Sequence, residues 1–383
     1  MSHSPASRSD LINLVRQWHQ DATPWIPSGQ GDHLHWGPSL NPDHAVLSCR
    51  ALNQVIDHAV DDLTISVEAG MPLDHLQDLL AQQNQWLPVD HPRDGLPGTI
   101  GGLVARGLAG GLRHRHLGMR DQIIGIGLLR ADGVEARAGG RVVKNVAGYD
   151  LMRLLCGSWG SLALITELTL RVQPIKSAHR VVVVNGAFQS QECFRADLMR
   201  SSLTLDRCDW QSRDDHTWCL RLLFSSITDQ AVNDQIRVMQ ALAHRHGLST
   251  AEQTCNEPLD NGLPCDDHAW LLRLAIPPAK LHQLIQSTAL QSLQDWHWDL
   301  AAGSGCGDGW SASTSEAYQV AALRDELTRL GGSLTILKQP RGADQPAWLD
   351  APSRELILAV KRQFDPRQQL CRGRLPGVHQ PML

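Results

Sequence analysis

Glycine and arginine are concentrated in residues 95–120, a stretch that contains no aspartate or glutamate. Glycine lets the main chain approach a ligand closely and adopt positive φ, so successive amide N–H groups can converge on an anion. An earlier loop, residues 28–31, offers a second and smaller set of amides, and the two loops together predict a site for one diphosphate. Tight turns and close backbone packing are the alternative explanation, and composition does not decide between them. The basic residues of the stretch that could add charge are Arg106, Arg113, Arg115 and Arg120.

The common nucleotide-binding motifs are absent from this sequence. No G-x-G-x-x-G follows a predicted strand and opens a helix in the first half, which argues against a Rossmann site. The run GSGCGDG at residues 303–309 has its glycines at alternating positions instead. A Walker motif is also missing, so nucleotide hydrolysis is not predicted.

Metal-binding patterns are not found either. The H-x-H pairs, such as His33 with His35, bring neither a third ligand nor an H-E-x-x-H pattern. The nine cysteines are scattered and never form C-x-x-C, which disfavours a disulfide framework, a zinc site and an iron–sulfur cluster. We therefore expect no metal in this chain and a reducing, cytoplasmic environment.

Composition indicates an ordinary globular protein with more than one folded unit. The chain has 383 residues, of which 42% are hydrophobic and 20% charged. Its 35 basic and 40 acidic residues give a formal net charge of −5, so nucleic acid is not an expected partner. The N-terminal residues lack the pattern of a signal peptide. Residues 154–166, the longest uncharged apolar stretch, are too short to span a bilayer, so any membrane association is expected through a partner.

Periodicity predicts an α+β fold. An amphipathic helix is expected over residues 71–85, and β-like runs occur at residues 123–129 and 162–172. After Pro174 helical patterns, such as residues 231–246, alternate with strand candidates. We predict a first domain over residues 1–176, a second α+β cap domain over residues 177–345, and a C-terminal tail over residues 346–383 that returns to the first domain. Further strand candidates are residues 45–48, 63–68, 218–224, 271–276 and 333–337.

The twelve tryptophans are spread along the chain without a period, which favours ordinary packing. Trp296 and Trp298 alternate on a predicted strand, so both rings are expected on one face. A contact with a partner is the alternative explanation of this pair.

Several segments together resemble a known family. The strings PSGQGDHLHWG at residues 27–37, GTIGGLVARG at 98–107, GGRVVKNVAGYDL at 139–151 and GSWGSLALITELTLRV at 157–172 resemble the FAD-binding domain of the vanillyl-alcohol oxidase and p-cresol methylhydroxylase type. The tightest resemblance is to the family of E subunits of bacterial glycolate oxidase, because the full KNVAGYD string is characteristic of it. The resemblance covers residues 25–175 well and the remainder weakly.

The resemblance implies FAD as cofactor and a two-lobed FAD-binding domain followed by a smaller cap. Local departures from the family pattern occur at residues 117–118, 161–163 and 371–374. His33 does not lie in the usual context for covalent attachment, so non-covalent FAD is expected. The resemblance places the following residues at the cofactor: Pro27, Ser28, Gly29, Gln30, Gly31, Thr99, Ile100, Gly101, Gly102, Arg120, Asp121, Gly140, Lys144, Asn145, Ile165 and Glu167.

Lys144 is the residue that we expect to tune the flavin. Two-electron reduction leaves negative charge near N1 and the C2 carbonyl, and a nearby ammonium would stabilise it. A solvated lysine on a turn is the alternative.

Three functions remain open at the level of sequence. The first is an FAD-binding subunit of a glycolate oxidase that acts with a related FAD-binding D subunit and an iron–sulfur subunit on a small 2-hydroxy acid. The second is a free-standing FAD-dependent dehydrogenase of a 2-hydroxy acid or similar alcohol. The third is an assembly subunit without flavin. No acid–base constellation for substrate oxidation is identifiable, so no catalytic residue is assigned.

Overall fold

The computed structural model describes residues 2–90, 95–140, 150–212, 217–253, 269–311 and 317–379. Helices and strands are mixed along the chain, as the α+β prediction requires. The strands form a five-stranded sheet, an eight-stranded sheet and two smaller sheets. Of the helices within these ranges, none is both long and apolar enough to cross a bilayer.

The first part of the chain is built around the five-stranded antiparallel sheet. The strands in this part of the chain are β1 (Ser2–His3), β2 (Trp25–Ser28), β3 (Ala45–Ser48), β4 (Val55–Ala59), β5 (Thr64–Glu68), β6 (Gln85–Trp86), β7 (Ile123–Leu129), β8 (Glu135–Gly139), β9 (Leu164–Arg171) and β10 (Gln173–Pro174). Its helices are α1 (Arg8–Gln20), α2 (Leu73–Ala81), α3 (Ile100–Arg106), α4 (Arg113–His116), α5 (Met119–Gln122) and α6 (Leu151–Leu155). The five-stranded sheet has the order β4-β5-β9-β7-β8, and β1, β3 and β2 form a small parallel sheet beside it.

Strand β9 is buried on both faces, although its sequence LITELTLR includes Thr166, Glu167 and Thr169. Leu168 and Leu170 pack with the core under α2 and α3, whereas Leu164 packs with α1. Helix α1 begins at Ser7, whose hydroxyl accepts a hydrogen bond from the Asp10 amide at 3.1 Å.

The predicted helix over residues 71–85 is shorter than expected. Helix α2 ends at Ala81, because Asn84 adopts a φ of +55° and the chain then enters β6. Strand β6 pairs with β10, and that long-range pairing is not visible in the local pattern of leucines.

The second part of the chain forms one eight-stranded antiparallel sheet with helices on one face. Its strands are β11 (Ala178–Asn185), β12 (Leu205–Ser212), β13 (Trp218–Ser226), β14 (Ser249–Gln253), β15 (Trp270–Ala275), β16 (His297–Ala301), β17 (Cys306–Ser311) and β18 (Ser333–Lys338). Its helices are α7 (Phe188–Arg200), α8 (Asp229–Arg245), α9 (Leu281–Ile285), α10 (Thr288–Gln291) and α11 (Ala317–Arg329), with a short 3-10 turn at Pro278–Lys280. The strand order is β14-β11-β13-β12-β16-β17-β15-β18. The elements predicted at residues 218–224, 231–246, 271–276 and 333–337 are confirmed within a few residues.

The other face of this sheet packs against the first part of the chain through buried charges. Arg207 lies 2.8 Å from Asp209 and 3.7 Å from Asp90, and Asp90 accepts hydrogen bonds from the amides of Gly110 and Leu112. Burial raises the pKa of Asp209 to about 6, although the Arg207 charge opposes the shift. The loop after α3 is therefore held against the second sheet by charged side chains from both parts.

The C-terminal tail returns to the first part of the chain. After helix α12 (Arg354–Phe364), the described residues 365–379 contain no helix or strand. Leu370 pairs with Trp25 beside β2. The Lys361 ammonium donates to Asp365 at 2.6 Å and to the carbonyl oxygens of Ser161 and Leu370 at 2.6 and 2.9 Å, and both charged side chains are buried. This ion pair fixes the tail against residues of the first part.

The predicted domain boundaries after residues 176 and 345 stay a prediction. The five-stranded sheet ends at Arg171 and the eight-stranded sheet begins at Ala178, which supports the first boundary. Strand β18 ends at Lys338, before the tail.

Replacement of Lys361 tests the importance of the buried ion pair. We expect Lys361→Met to lower the free energy of unfolding by roughly 3 kcal/mol or more, because it leaves the Asp365 carboxylate buried without its counter-ion. Lys280→Met, at an exposed lysine, serves as the control and should change stability little. Denaturant unfolding measures both, and equal stability of the two variants would contradict the role assigned to Lys361.

Candidate functional site

A cleft lies between the small parallel sheet and the start of α3. Including its open mouth, the outer part has a volume of about 580 Å³ and the inner part about 430 Å³, and the two parts share seven lining residues, so they are continuous. The shared residues are Pro27, Ser28, Gly29, Thr99, Gly102, Ala105 and Trp159.

The loop after β2 lines the outer part of the cleft. Ser28 ends the parallel pairing with β3, and the Ser48 hydroxyl donates to the carbonyl oxygen of Gly29 at 3.0 Å. Among the residues that the structure describes, no acceptor is found for the amides of Gly29, Gln30 and Gly31. Three successive available amides, with Gly31 at a φ of +100°, form the kind of loop that binds an anion.

The amides in the first turn of α3, unlike those of residues 29–31, already have acceptors within the protein. The amide of Ile100 donates to the Met71 carbonyl at 2.9 Å, that of Gly101 to the Ala69 carbonyl at 2.8 Å, and that of Gly102 to the Thr99 hydroxyl at 3.2 Å. The expectation that this segment also offers exposed amides is therefore wrong for these three residues. The amides of Ile100 and Gly101 attach α3 to the residues that follow β5, and the amide of Gly102 is capped by Thr99.

Close packing accounts for one glycine in each segment, Gly29 and Gly101. A Cβ added to Gly29 would lie 2.2 Å from the Thr99 hydroxyl oxygen, and one added to Gly101 would lie 2.8 Å from the Ala69 Cβ. Both explanations for the glycines therefore apply. Residues 29–31 offer available amides that could bind an anion, and Gly29 and Gly101 allow close packing between the two segments.

Two arginines bring positive charge to the outer part of the cleft. The Arg106 guanidinium lies 5.1 Å from the centre of the Trp36 ring, and that of Arg374 lies 5.8 Å from the Trp159 ring. Arg374 donates to the carbonyl oxygens of Leu34 and Trp36, and burial lowers its pKa. An anion in the cleft would stabilise a guanidinium held in this poorly hydrated position.

Neither arginine is among the residues that the family resemblance places at the cofactor. Arg106 is one of several arginines among the glycines, and Arg374 belongs to a departure from the family pattern. Their proximity results from the return of the tail, which has no local sequence signal.

The inner part of the cleft is apolar. It is lined by Cys49, Ala69 and Ala163–Ile165, which suits a flat uncharged ring. Burial raises the pKa of the Cys49 thiol to about 12, so this cysteine is not a thiolate near neutral pH.

The remaining predicted site residues lie in different places. Ile165 lines the inner cleft, but Ile100, Arg120, Asp121, Gly140 and Glu167 are not among the residues that line either part. The Glu167 carboxylate instead pairs with Arg137 at 2.6 Å and Arg8 at 3.3 Å. Lys144 and Asn145 lie outside the described residues, and their roles stay predictions. Within the described ranges, no group of three or more His, Cys, Asp or Glu side chains could hold a metal ion.

Comparison with known proteins identifies the type of domain. Residues 3–139 match the family model described as an FAD binding domain. The glycolate oxidase subunit GlcE of Escherichia coli K12 is 35% identical over 164 residues, which cover 43% of this chain and 46% of that protein. A mitochondrial D-lactate dehydrogenase of Arabidopsis thaliana is 32% identical over 181 residues, which cover 47% of this chain and 31% of that protein. The glycolate oxidase subunit GlcD of Bacillus subtilis is 30% identical over 172 residues, which cover 45% of this chain and 36% of that protein.

These matches span less than half the length of the relatives concerned. The overall fold is similar to a solved structure of alkyldihydroxyacetonephosphate synthase, with a TM-score of 0.73 at 14% identity. That similarity covers 96% of this chain and 75% of the other, so it shows that the fold as a whole is shared.

The described residues fit a dinucleotide with a diphosphate. The amides of residues 29–31 and the two arginines provide for negative charge, and the inner cleft provides for an apolar ring. Binding a diphosphate requires no general acid or general base, and neither the backbone amides nor the guanidinium groups act as one.

The close contact at Gly29 can be tested directly. We expect Gly29→Ala to raise the Kd for FAD about tenfold or more, because the methyl group would overlap the buried Thr99 side chain and separate the two segments. Gly118→Ala is the matched control, since Gly118 has a φ of −94° and an added Cβ would have no neighbour nearer than 3.8 Å. Titration of apoprotein with FAD, followed by flavin fluorescence, measures both. Unchanged affinity in Gly29→Ala would show that the contact does not shape the cofactor site.

Proposed function

We propose that this chain, whose residues 3–139 form an FAD-binding domain, is the flavoprotein subunit of a multi-subunit oxidase of glycolate or a similar 2-hydroxy acid. The observation that carries the cofactor part is the set of three successive available amides at residues 29–31 beside Arg106 and Arg374. The similarity to subunits GlcE and GlcD supports the substrate class and a complex.

In this proposal the described residues have separate tasks. The amides of residues 29–31 hold the diphosphate, Arg106 and Arg374 balance its charge, and residues 163–165 exclude water from an apolar ring in the inner cleft. These residues would hold FAD, which when bound would supply the two-electron chemistry needed to remove two electrons and two protons from a 2-hydroxy acid and give a 2-oxo acid. Lys144 remains our proposed flavin tuner, and a related D subunit and an iron–sulfur subunit remain the proposed partners.

The charge of Arg106 is predicted to contribute to cofactor affinity. Arg106→Gln removes the charge at the cleft and should raise the Kd for FAD about tenfold at low ionic strength, with a smaller effect at high salt. Arg115→Gln, which changes an exposed arginine outside the cleft, should leave the Kd unchanged. Fluorescence titrations of the apoproteins at two salt concentrations test this. Equal affinities of the two variants at low salt would exclude Arg106 from the diphosphate site.

The proposed complex is tested by purifying the tagged chain alone and after co-expression with the proposed D and iron–sulfur subunits. We expect bound FAD in the chain in both cases, iron only in the co-purified complex, and reduction of the flavin by glycolate only in the complex. Flavin and iron analysis and anaerobic absorbance spectra provide the measurements.

The possible failures are distinguishable. Colourless protein that takes up no FAD even with its partners would contradict the cofactor assignment. Rapid reduction by glycolate of the FAD in the isolated chain would contradict the subunit role and favour a free-standing dehydrogenase.

A further inference from the structure

A second large cavity lies in the part of the chain that follows the FAD-binding domain. It encloses about 960 Å³ including its open mouth, between the helix-covered face of the eight-stranded sheet and helices α7, α9 and α10. It shares no lining residue with the cofactor cleft. Its lining residues are Phe188, Ser212, Trp218, Ile285, Gln286, Leu290, Gln291, Leu293, Gln294, Trp296 and Trp298.

Aromatic side chains form the walls of this cavity. The rings of Trp296 and Trp298 are stacked, with centroids 5.3 Å apart and an interplanar angle of 17°, which confirms that both lie on one face. Ser212 fixes their backbone, since its hydroxyl accepts from the Trp298 amide at 2.8 Å and donates to the Trp296 carbonyl at 3.4 Å. Phe188 and Trp218 are half-buried and complete the aromatic surface. Such walls favour a flat ring, which can stack on them or meet them edge to face.

The mouth of the cavity carries three exposed glutamines, Gln286, Gln291 and Gln294. Their amides offer both donors and acceptors of hydrogen bonds. Among the residues that the structure describes, none of those lining the cavity is ionisable. Among the described lining residues, a charged group that loses hydration on entering the cavity would find no counter-ion, so this part of the lining favours an uncharged group.

We infer that this cavity is a binding site for an uncharged planar ring that carries carbonyl or amide groups. Its volume lies within the range of small-molecule sites, and its apolar walls with a few polar groups at one end are typical of them. The ring binds between the aromatic walls, and its carbonyl or amide edge faces the three glutamines. The site is independent of the cofactor, because it opens on the opposite face of the sheet from the contact with the FAD-binding domain.

Two probes of nearly equal size and shape test the selection against charge. Isothermal titration calorimetry of the FAD-loaded full chain would compare 2-naphthamide with 2-naphthoate. We expect saturable binding of the amide, and at least about tenfold weaker binding of the carboxylate because its charge would be buried without a partner. The flavin spectrum, recorded in the same titration, should show that FAD stays bound.

Variants locate the binding. Trp218→Ala removes a half-buried wall and should weaken 2-naphthamide binding at least about fivefold. Trp86→Ala is the matched control, since Trp86 is a half-buried tryptophan of the first part of the chain and should leave binding unchanged. If Trp218→Ala does not fold, Gln291→Leu at the exposed mouth replaces it, with Gln82→Leu on the surface of α2 as its control.

Four outcomes would overturn the inference, and the first three concern the affinity of the probes. They are no saturable binding of 2-naphthamide into the millimolar range, equal affinity for the two probes, and equal effects of the cavity variants and their controls. Release of FAD by 2-naphthamide would likewise place the probe in the cofactor cleft and contradict a separate site.

Discussion

The cleft that we propose for the cofactor depends on the contact between Gly29 and Thr99. Because Gly29 has no side chain, the loop after β2 can approach the start of α3 so closely that an added Cβ would overlap the Thr99 side chain. This approach leaves the amides of residues 29–31 at the cleft, while the amides of Ile100 and Gly101 attach α3 to residues 69–71. One segment therefore supplies donors and the other supplies a rigid surface.

The tail completes the same cleft from the far end of the sequence. The buried pair of Lys361 and Asp365 fixes the chain after α12, and the pairing of Leu370 with Trp25 places the following residues beside β2. Arg374 then reaches the cleft and donates to the backbone of residues 34 and 36. The hydrogen bonds of Arg374 therefore position its side chain before any anion binds. This reduces the loss of side-chain conformational entropy when the cofactor binds.

The sequence predicts helices and strands whose residue pattern is local. It does not predict features that depend on contacts between residues far apart in the chain. The strand at Ile123–Leu129 agrees with its apolar run, and α8 agrees with its helical periodicity, because burial imposes these patterns directly. Helix α2 ends early because β6 pairs with β10, far away in sequence. For the same reason, Arg374 could not be assigned to the cleft from the local sequence. The local sequence also could not show that the amides of Gly101 and Gly102 have acceptors within the protein and are not available to a ligand.

Alternation along the strands of the second sheet gives its two faces different chemistry. On β12 and β16, Trp210 and Trp298 belong to the apolar core under the helices, whereas Asp209 and Asp299 point to the opposite face. Asp209 pairs with Arg207 against the loop that follows α3, so charge is concentrated where the sheet meets the FAD-binding domain. The aromatic cavity lies on the other face, where Trp298 is one of its lining residues. One sheet can therefore hold the first part of the chain by ion pairs on one side and line an aromatic cavity on the other.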